Sequence, residues 1–301
     1  MSLTFGSCPP VLAALVLTGL VACAPQDAGP AAAPAAQSSS ATSPSSSSSA
    51  NPCTKDQLPV KTAGTFTVGT DTPAYEPWFA DNKPANGKGY ESAVAYAVAK
   101  QLGFAAAEVT WITVPFANAY APGDKKFDVD INQVTITEAR RKAVDFSSGY
   151  YDAAQTLVTV KESPIAGAKS IADLKDAKLA AQVGTTSYAA INDQIKPSKK
   201  AAVYDTNDLA VQALKNGQVD GVVVDLPTAF FVAAAQLDAG VIVGQLPPGS
   251  GKLEQFGMVL AKGSPLTACV SSAVDTLRNN GTLKKLETQW LAKSGGAPVL
   301  S

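Results

Sequence analysis

Residues 127–146 read FDVDINQVTITEARRKAVDF, and the way they fold decides the architecture of the chain. A strand, FDVDINQVTI, runs into Thr137, whose hydroxyl suits a helix N-cap. Counted from Thr137, Arg140 stands at N3, where the helix dipole disfavours a cation and a capping box places Glu. A residue that breaks its local rule tends to mark a functional site. The strand-to-helix junction recurs on both sides. Upstream, TFTVGTD and EVTWITV read as strands around the helix YESAVAYAVAKQLG, which carries Val94, Val98 and Leu102 on one stripe. Downstream, AQTLVTV, AKLAAQVG, AAVYDT, VDGVVVD, GVIVGQL and FGMVLAKG read as strands. SIADLKD, TSYAAINDQI, NDLAVQALKNG, PTAFFVAAAQL and two closing segments read as helices between and after them. This alternation predicts the α/β class with mostly parallel sheets, whose ligands bind beyond the carboxyl ends of strands.

The 301 residues suffice for two lobes, each with its own core. Formal net charge is −1 with acids and bases dispersed, which argues against nucleic acid as a partner. The chain has no His, so His-based triads, His metal ligands and imidazole acid–base chemistry are excluded. No metal or cofactor is called for.

The N-terminal run VLAALVLTGLVACAP is too short to span a bilayer and reads as a signal peptide over residues 1–22. Its end, Leu20-Val21-Ala22-Cys23, resembles the lipobox of bacterial lipoproteins, which makes Cys23 the expected acylated residue, with palmitate among its lipids. MSLTFGSCPP departs from that pattern in having no Lys or Arg. Residues 23–56 are rich in Ala, Pro and Ser and are expected to be a disordered tether. Cys53 and Cys269 are left to the folded part in an oxidising setting, either bridged or as two thiols.

Six blocks in order, TFTVGTDTPAYEPWF, GKGYESAVAYAVAKQLGF, FDVDINQVTITEARRKAVDFSSGYY, SIADLKDAKLAAQVGTTSY, VDGVVVDLPTAFF and FGMVLAKGSPL, are similar to the family 3 extracellular solute-binding proteins of polar amino-acid ABC transporters. The resemblance covers residues 60–295. It implies a type II periplasmic-binding-protein fold: two α/β lobes joined by two hinge strands that close on the ligand. Lobe 1 is expected over 57–150 plus 257–301, lobe 2 over 155–251, and the hinge over 151–154 and 252–256. It also implies a monomer that hands an amino acid to ABC permease subunits, from a lipid anchor outside the cell membrane.

By the same resemblance Arg140 grips the ligand α-carboxylate, as a planar guanidinium can with two parallel bonds. Thr135 adds a hydroxyl and an N–H, and Thr185 or Thr186 meets the carboxylate from the second lobe. Asp225 takes the α-ammonium while also fitting a helix N-cap. Asp71 is a pocket residue; Tyr75 or Trp78, with Phe116, are candidate aromatic walls. Asn132-Gln133 stands where many relatives carry Ala-Gly or Ser-Gly. Asp128, Asp130 and Asn132 alternate onto one strand face, so the pocket is expected to favour a polar or cationic side chain. The rival reading is an enzyme on the same fold, a dehydratase of carboxylated rings, and a third is a ligand-sensing receptor domain.

Overall fold

The computed structural model describes residues 53–292 and 296–301. The expected signal peptide, Cys23 and the tether as far as residue 52 lie outside the described residues. The chain opens with β1 (Phe66–Thr70), α1 (Tyr90–Gln101), β2 (Val109–Thr113), α2 (Phe116–Ala119), β3 (Val129–Asp130), α3 (Glu138–Arg141) and the long β4 (Val144–Ala153). A second series follows: β5 (Gln155–Val160), β6 (Leu179–Gln182), α4 (Thr186–Ala190), β7 (Ala202–Tyr204), α5 (Asn207–Lys215), β8 (Gly221–Asp225), α6 (Leu226–Phe231) and β9 (Gly240–Gln245). The chain then returns through β10 (Glu254–Ala261), α7 (Thr267–Asn279) and α8 (Thr282–Leu291).

These strands build two five-stranded sheets, ordered β2-β1-β3-β10-β4 and β7-β6-β8-β5-β9. Both are mixed rather than mostly parallel. β2, β1 and β3 run parallel, and so do β7, β6 and β8, but β10 is antiparallel to β3 and β4, and β5 is antiparallel to β8 and β9. The antiparallel members are the strands that pass between the sheets: only Ala154 separates β4 from β5, and β10 starts beside β4, Glu254 pairing with Ala153. A chain that crosses twice between lobes must return in the opposite sense, which local pattern does not reveal.

Each sheet buries its own apolar stripe. Val94 and Val98 of α1 and Leu102 just after it are buried with Phe66, Val68, Met258, Val270 and Val274. Leu157, Leu179, Ile191 and Val223 form a separate core on the second sheet. The chain end departs from the expected lobe 1 boundary. Leu300 joins the core of the second sheet, and its N–H donates to the Gln245 carbonyl at 2.8 Å. Cys53 and Cys269 are joined by a disulfide with sulfurs 2.05 Å apart, tying the start of the folded body to α7.

Two expected elements are shorter than their patterns. The strand FDVDINQVTI keeps only Val129–Asp130, because Gln133 turns into the left-handed region at φ +48° and breaks the ladder. SIADLKD holds a single 3-10 turn, Ala172–Leu174, because the Asp173 carboxylate bonds the N–H groups of Lys169 and Ser170 and closes a loop.

Candidate ligand-binding cleft

The ends of β1, β3, β6 and β8 converge on one cleft of about 550 Å³, counting its solvent-open mouth. All ten residues expected at the ligand border it: Asp71, Tyr75, Phe116, Asn132, Gln133, Thr135, Arg140, Thr185, Thr186 and Asp225. Residues as distant in sequence as Asp71 and Asp225 meet here because parallel strands place their carboxyl ends on one edge.

Arg140 is the third residue of α3, and Thr137 caps that helix by accepting from the Arg140 N–H at 3.1 Å. The side chain is buried, 9% exposed. Its guanidinium donates to the Thr135 carbonyl at 2.7 Å and to the Gly184 carbonyl, beyond β6, at 2.9 Å. The guanidinium lies 4.3 Å from the Tyr120 ring centre and 5.6 Å from that of Phe116, so two rings shield and orient it. The Tyr120 hydroxyl also donates to the Gly184 carbonyl at 3.3 Å. Gly184 holds φ +72°, and a Cβ there would sit 2.4 Å from the Tyr120 oxygen. Only glycine permits this approach between the two sheets.

The threonines divide their duties. The Thr185 hydroxyl caps α4, accepting from Tyr188 N–H at 3.2 Å and donating to the Gln182 carbonyl at 2.7 Å. The Thr186 hydroxyl faces Thr135 Oγ1 at 3.1 Å, across the gap between sheets. Both hydroxyls and Gln155 Nε2 reach one oxygen of Glu254, at 2.7 Å from Thr186, 3.3 Å from Thr135 and 3.0 Å from Gln155. Glu254 begins β10, so the passage between the lobes is hydrogen-bonded to the cleft's own hydroxyls.

Asp225 closes β8 and caps α6, accepting from Thr228 N–H at 3.2 Å. The Thr228 hydroxyl also reaches both carboxylate oxygens, at 2.9 and 3.0 Å. Burial pushes its pKa up to about 6 against those bonds. Trp78 is not a wall of the cleft. It is fully buried against Tyr90, Tyr151 and Phe256, and its indole N–H donates to the Thr228 hydroxyl at 2.8 Å. The aromatic border is formed by Tyr75, Phe116 and Phe256. Asp71 accepts from the Phe116 N–H at 3.0 Å and so holds one of these rings in place.

The strand face that sequence assigned to selectivity splits in three. Asp128 accepts from the N–H groups of Lys61 and Thr67, both at 2.7 Å, and serves the backbone. Asn132 borders the cleft with its Nδ2 buried and unbonded among the described residues. Asp130 is fully buried behind the cleft, neither oxygen has a partner among the described residues, and burial raises its pKa well above the ordinary carboxylate value. A carboxyl held protonated by the fold favours folding most at acid pH. That contribution is lost as pH rises through its folded pKa. Asp130→Asn is therefore expected to match the wild type in thermal unfolding at pH 4 and to exceed it by several degrees at pH 8. A variant equally or less stable at pH 8 would show that the carboxylate has a partner.

Gln155, Gln182, Ser187, Asn207, Val224 and Phe256 also border the cleft and were not found from sequence. Gln155 had a signal, as the one amide at the start of the apolar run QTLVTV. Its Oε1 is buried and unbonded among the described residues. Phe256 had none, since it reaches the site by a bridge to Thr135 from the far end of the chain.

Residues 66–293 match the family described as bacterial extracellular solute-binding proteins, family 3. The L-cystine-binding protein TcyJ of Escherichia coli (strain K12) is 29% identical over 234 residues, 77% of this chain and 84% of its own. A solved ancestral amino acid-binding protein, described as a precursor of cyclohexadienyl dehydratase, is 33% identical with a TM-score of 0.62, covering 76% of this chain and 95% of its own. A solved ancestral arginine-binding protein bound to glutamine is 31% identical with a TM-score of 0.62, covering 76% of this chain and 98% of its own.

Proposed function

We propose, of a chain that belongs to the bacterial extracellular solute-binding proteins, family 3, that it captures a free amino acid for an ABC importer and delivers it to the permease. The observation that carries this reading is the pairing of opposite charges across one cleft. Arg140 on α3, between two strands of the first sheet, and Asp225 at the end of β8 in the second border the same space. An α-carboxylate suits the guanidinium and an α-ammonium suits the aspartate, so a zwitterion satisfies both lobes at once and stabilises the closed form. Thr135 and Thr186 supply hydroxyls between them.

The unbonded Asn132 Nδ2 and Gln155 Oε1 offer one donor and one acceptor to a polar ligand side chain. The relatives that bind cystine, arginine or glutamine fit that preference. Catalysis is not part of the reading. What supports this is that matched relatives are described as amino-acid-binding proteins. Acylation at Cys23 would hold a monomer close to the membrane outside the cell.

Thermal shift against the twenty amino acids and several polyamines tests the assignment, because a ligand bound only by the folded form raises apparent stability. The expected result is stabilisation by one or a few polar amino acids. Stabilisation by none of them, or turnover of a carboxylated cyclohexadienyl ring, would overturn it.

A further inference from the structure

Glu91, the second residue of α1, is fully buried, and three donors meet its carboxylate. They are the Gln133 backbone N–H at 2.7 Å, the Gln133 side-chain Nε2 and the Tyr150 hydroxyl. Gln133 sits at φ +48°, a conformation that a side chain-bearing residue keeps only where its surroundings hold it. Two bonds from one buried carboxylate, to its main chain and to its side chain, supply that hold. Gln133 also borders the cleft. With one Nε2 hydrogen given to Glu91 and no donor among the described residues on Oε1, the carbonyl is the acceptor this amide has left to offer a ligand.

We propose that Glu91 is a positioning residue for ligand choice: by holding the main-chain N–H and one side-chain N–H of Gln133 it fixes the Gln133 carbonyl as an acceptor at the cleft wall, favouring ligand side chains that end in N–H donors. The proposal rests on the cleft being an amino-acid site. An ionised carboxylate only accepts, so it matches its three donors. A protonated Glu91 must donate one bond, which the Tyr150 hydroxyl or the Gln133 carbonyl can accept; when Gln133 accepts it, the amide turns over and aims Nε2 at the cleft. Acid therefore weakens the acceptor character of the wall. The groups that face Glu91 are Tyr90 on its own helix, Tyr150 on β4, Asp130 on β3 and Asp225 at the end of β8, none of them cationic. Burial places the Glu91 pKa at about 7, so the change falls near neutral pH.

The test is calorimetric titration of the full chain with L-arginine, whose side chain only donates, and L-methionine, of similar reach without a donor. Wild type, Glu91→Gln, Gln133→Met and the double variant are compared from pH 5.5 to 8.5. The expected preference for L-arginine over L-methionine is at least tenfold at pH 8.5 and falls through pH 7 in the wild type. Glu91→Gln lowers it about fivefold or more and flattens that fall. The double variant loses no more than Gln133→Met alone, as coupled residues do. Additive losses, or the same pH slope in Gln133→Met, would show that Glu91 acts by its own charge and overturn the proposal. Should Glu91→Gln not fold, the slopes of wild type and Gln133→Met decide alone. Binding of both amino acids with no preference, or of neither, defeats this inference only; binding of none of the twenty defeats the amino-acid reading with it.

Discussion

Arg140→Ala is expected to weaken amino-acid binding by roughly 100- to 5,000-fold, the 3–5 kcal/mol typical of removing one partner from a buried ion pair. The guanidinium sits between the Tyr120 and Phe116 rings and is bonded to carbonyls of Thr135 and Gly184. It is held in place before any carboxylate arrives, so little ordering cost remains to be met on binding. Alanine removes the charge and also the bond to Gly184, which reaches the other sheet. Binding and closure should therefore weaken together. Folding should survive, since the side chain lies at the cleft rather than in either apolar core. Calorimetric titration with L-arginine and L-glutamine reads the loss; unchanged affinity would remove Arg140 from the carboxylate site.

Asp225→Asn is expected to cost about 10- to 100-fold, in line with the 1.5–3 kcal/mol of a hydrogen bond to a charged group. Asn caps a helix about as well as Asp, so α6 should keep its start and the variant its fold. The pH dependence distinguishes a lost charge from a disturbed cap. Only ionised Asp225 attracts an ammonium, and its pKa is pushed up to about 6. Wild-type affinity should weaken as pH falls through 6, and the variant should lose that component. A variant with wild-type affinity and the same acid slope would assign the ammonium elsewhere.

The cleft residues were legible where a strand end and a charge coincide in a short stretch. Arg140 stood out because a cation at N3 contradicts the dipole, whereas Asp225 in GVVVD-Leu-Pro reads locally as a helix N-cap and was marked as a site only by the family resemblance. Local sequence marked Thr137 as an N-cap, while Thr135, which borders the cleft, was marked by the family resemblance. What stayed hidden depends on contacts distant in sequence. Trp78 looked like a wall, but its ring is enclosed by Tyr90, Tyr151 and Phe256 from three other segments. Glu254 joins Thr135, Thr186 and Gln155 from 99 to 119 positions away in two of its three bonds. The Asn132-Gln133 pair was recognised as a departure, yet the partner of Gln133 is Glu91, 42 residues upstream, which no spacing rule connects to it. The mixed sheets escaped for a related reason: strand direction follows from where the chain crosses between lobes, not from its apolar pattern.

The central claim is that Arg140 and Asp225 read the two charges of one α-amino acid. Its most direct test is calorimetric titration of the wild type with L-arginine, with agmatine, which lacks the α-carboxylate, and with the deaminated acid, which lacks the α-ammonium. The account predicts that each truncated compound binds at least about tenfold more weakly than L-arginine. It further predicts that Arg140→Ala leaves agmatine binding nearly unchanged and that Asp225→Asn does the same for the deaminated acid. Agmatine or the deaminated acid binding as tightly as L-arginine would contradict it.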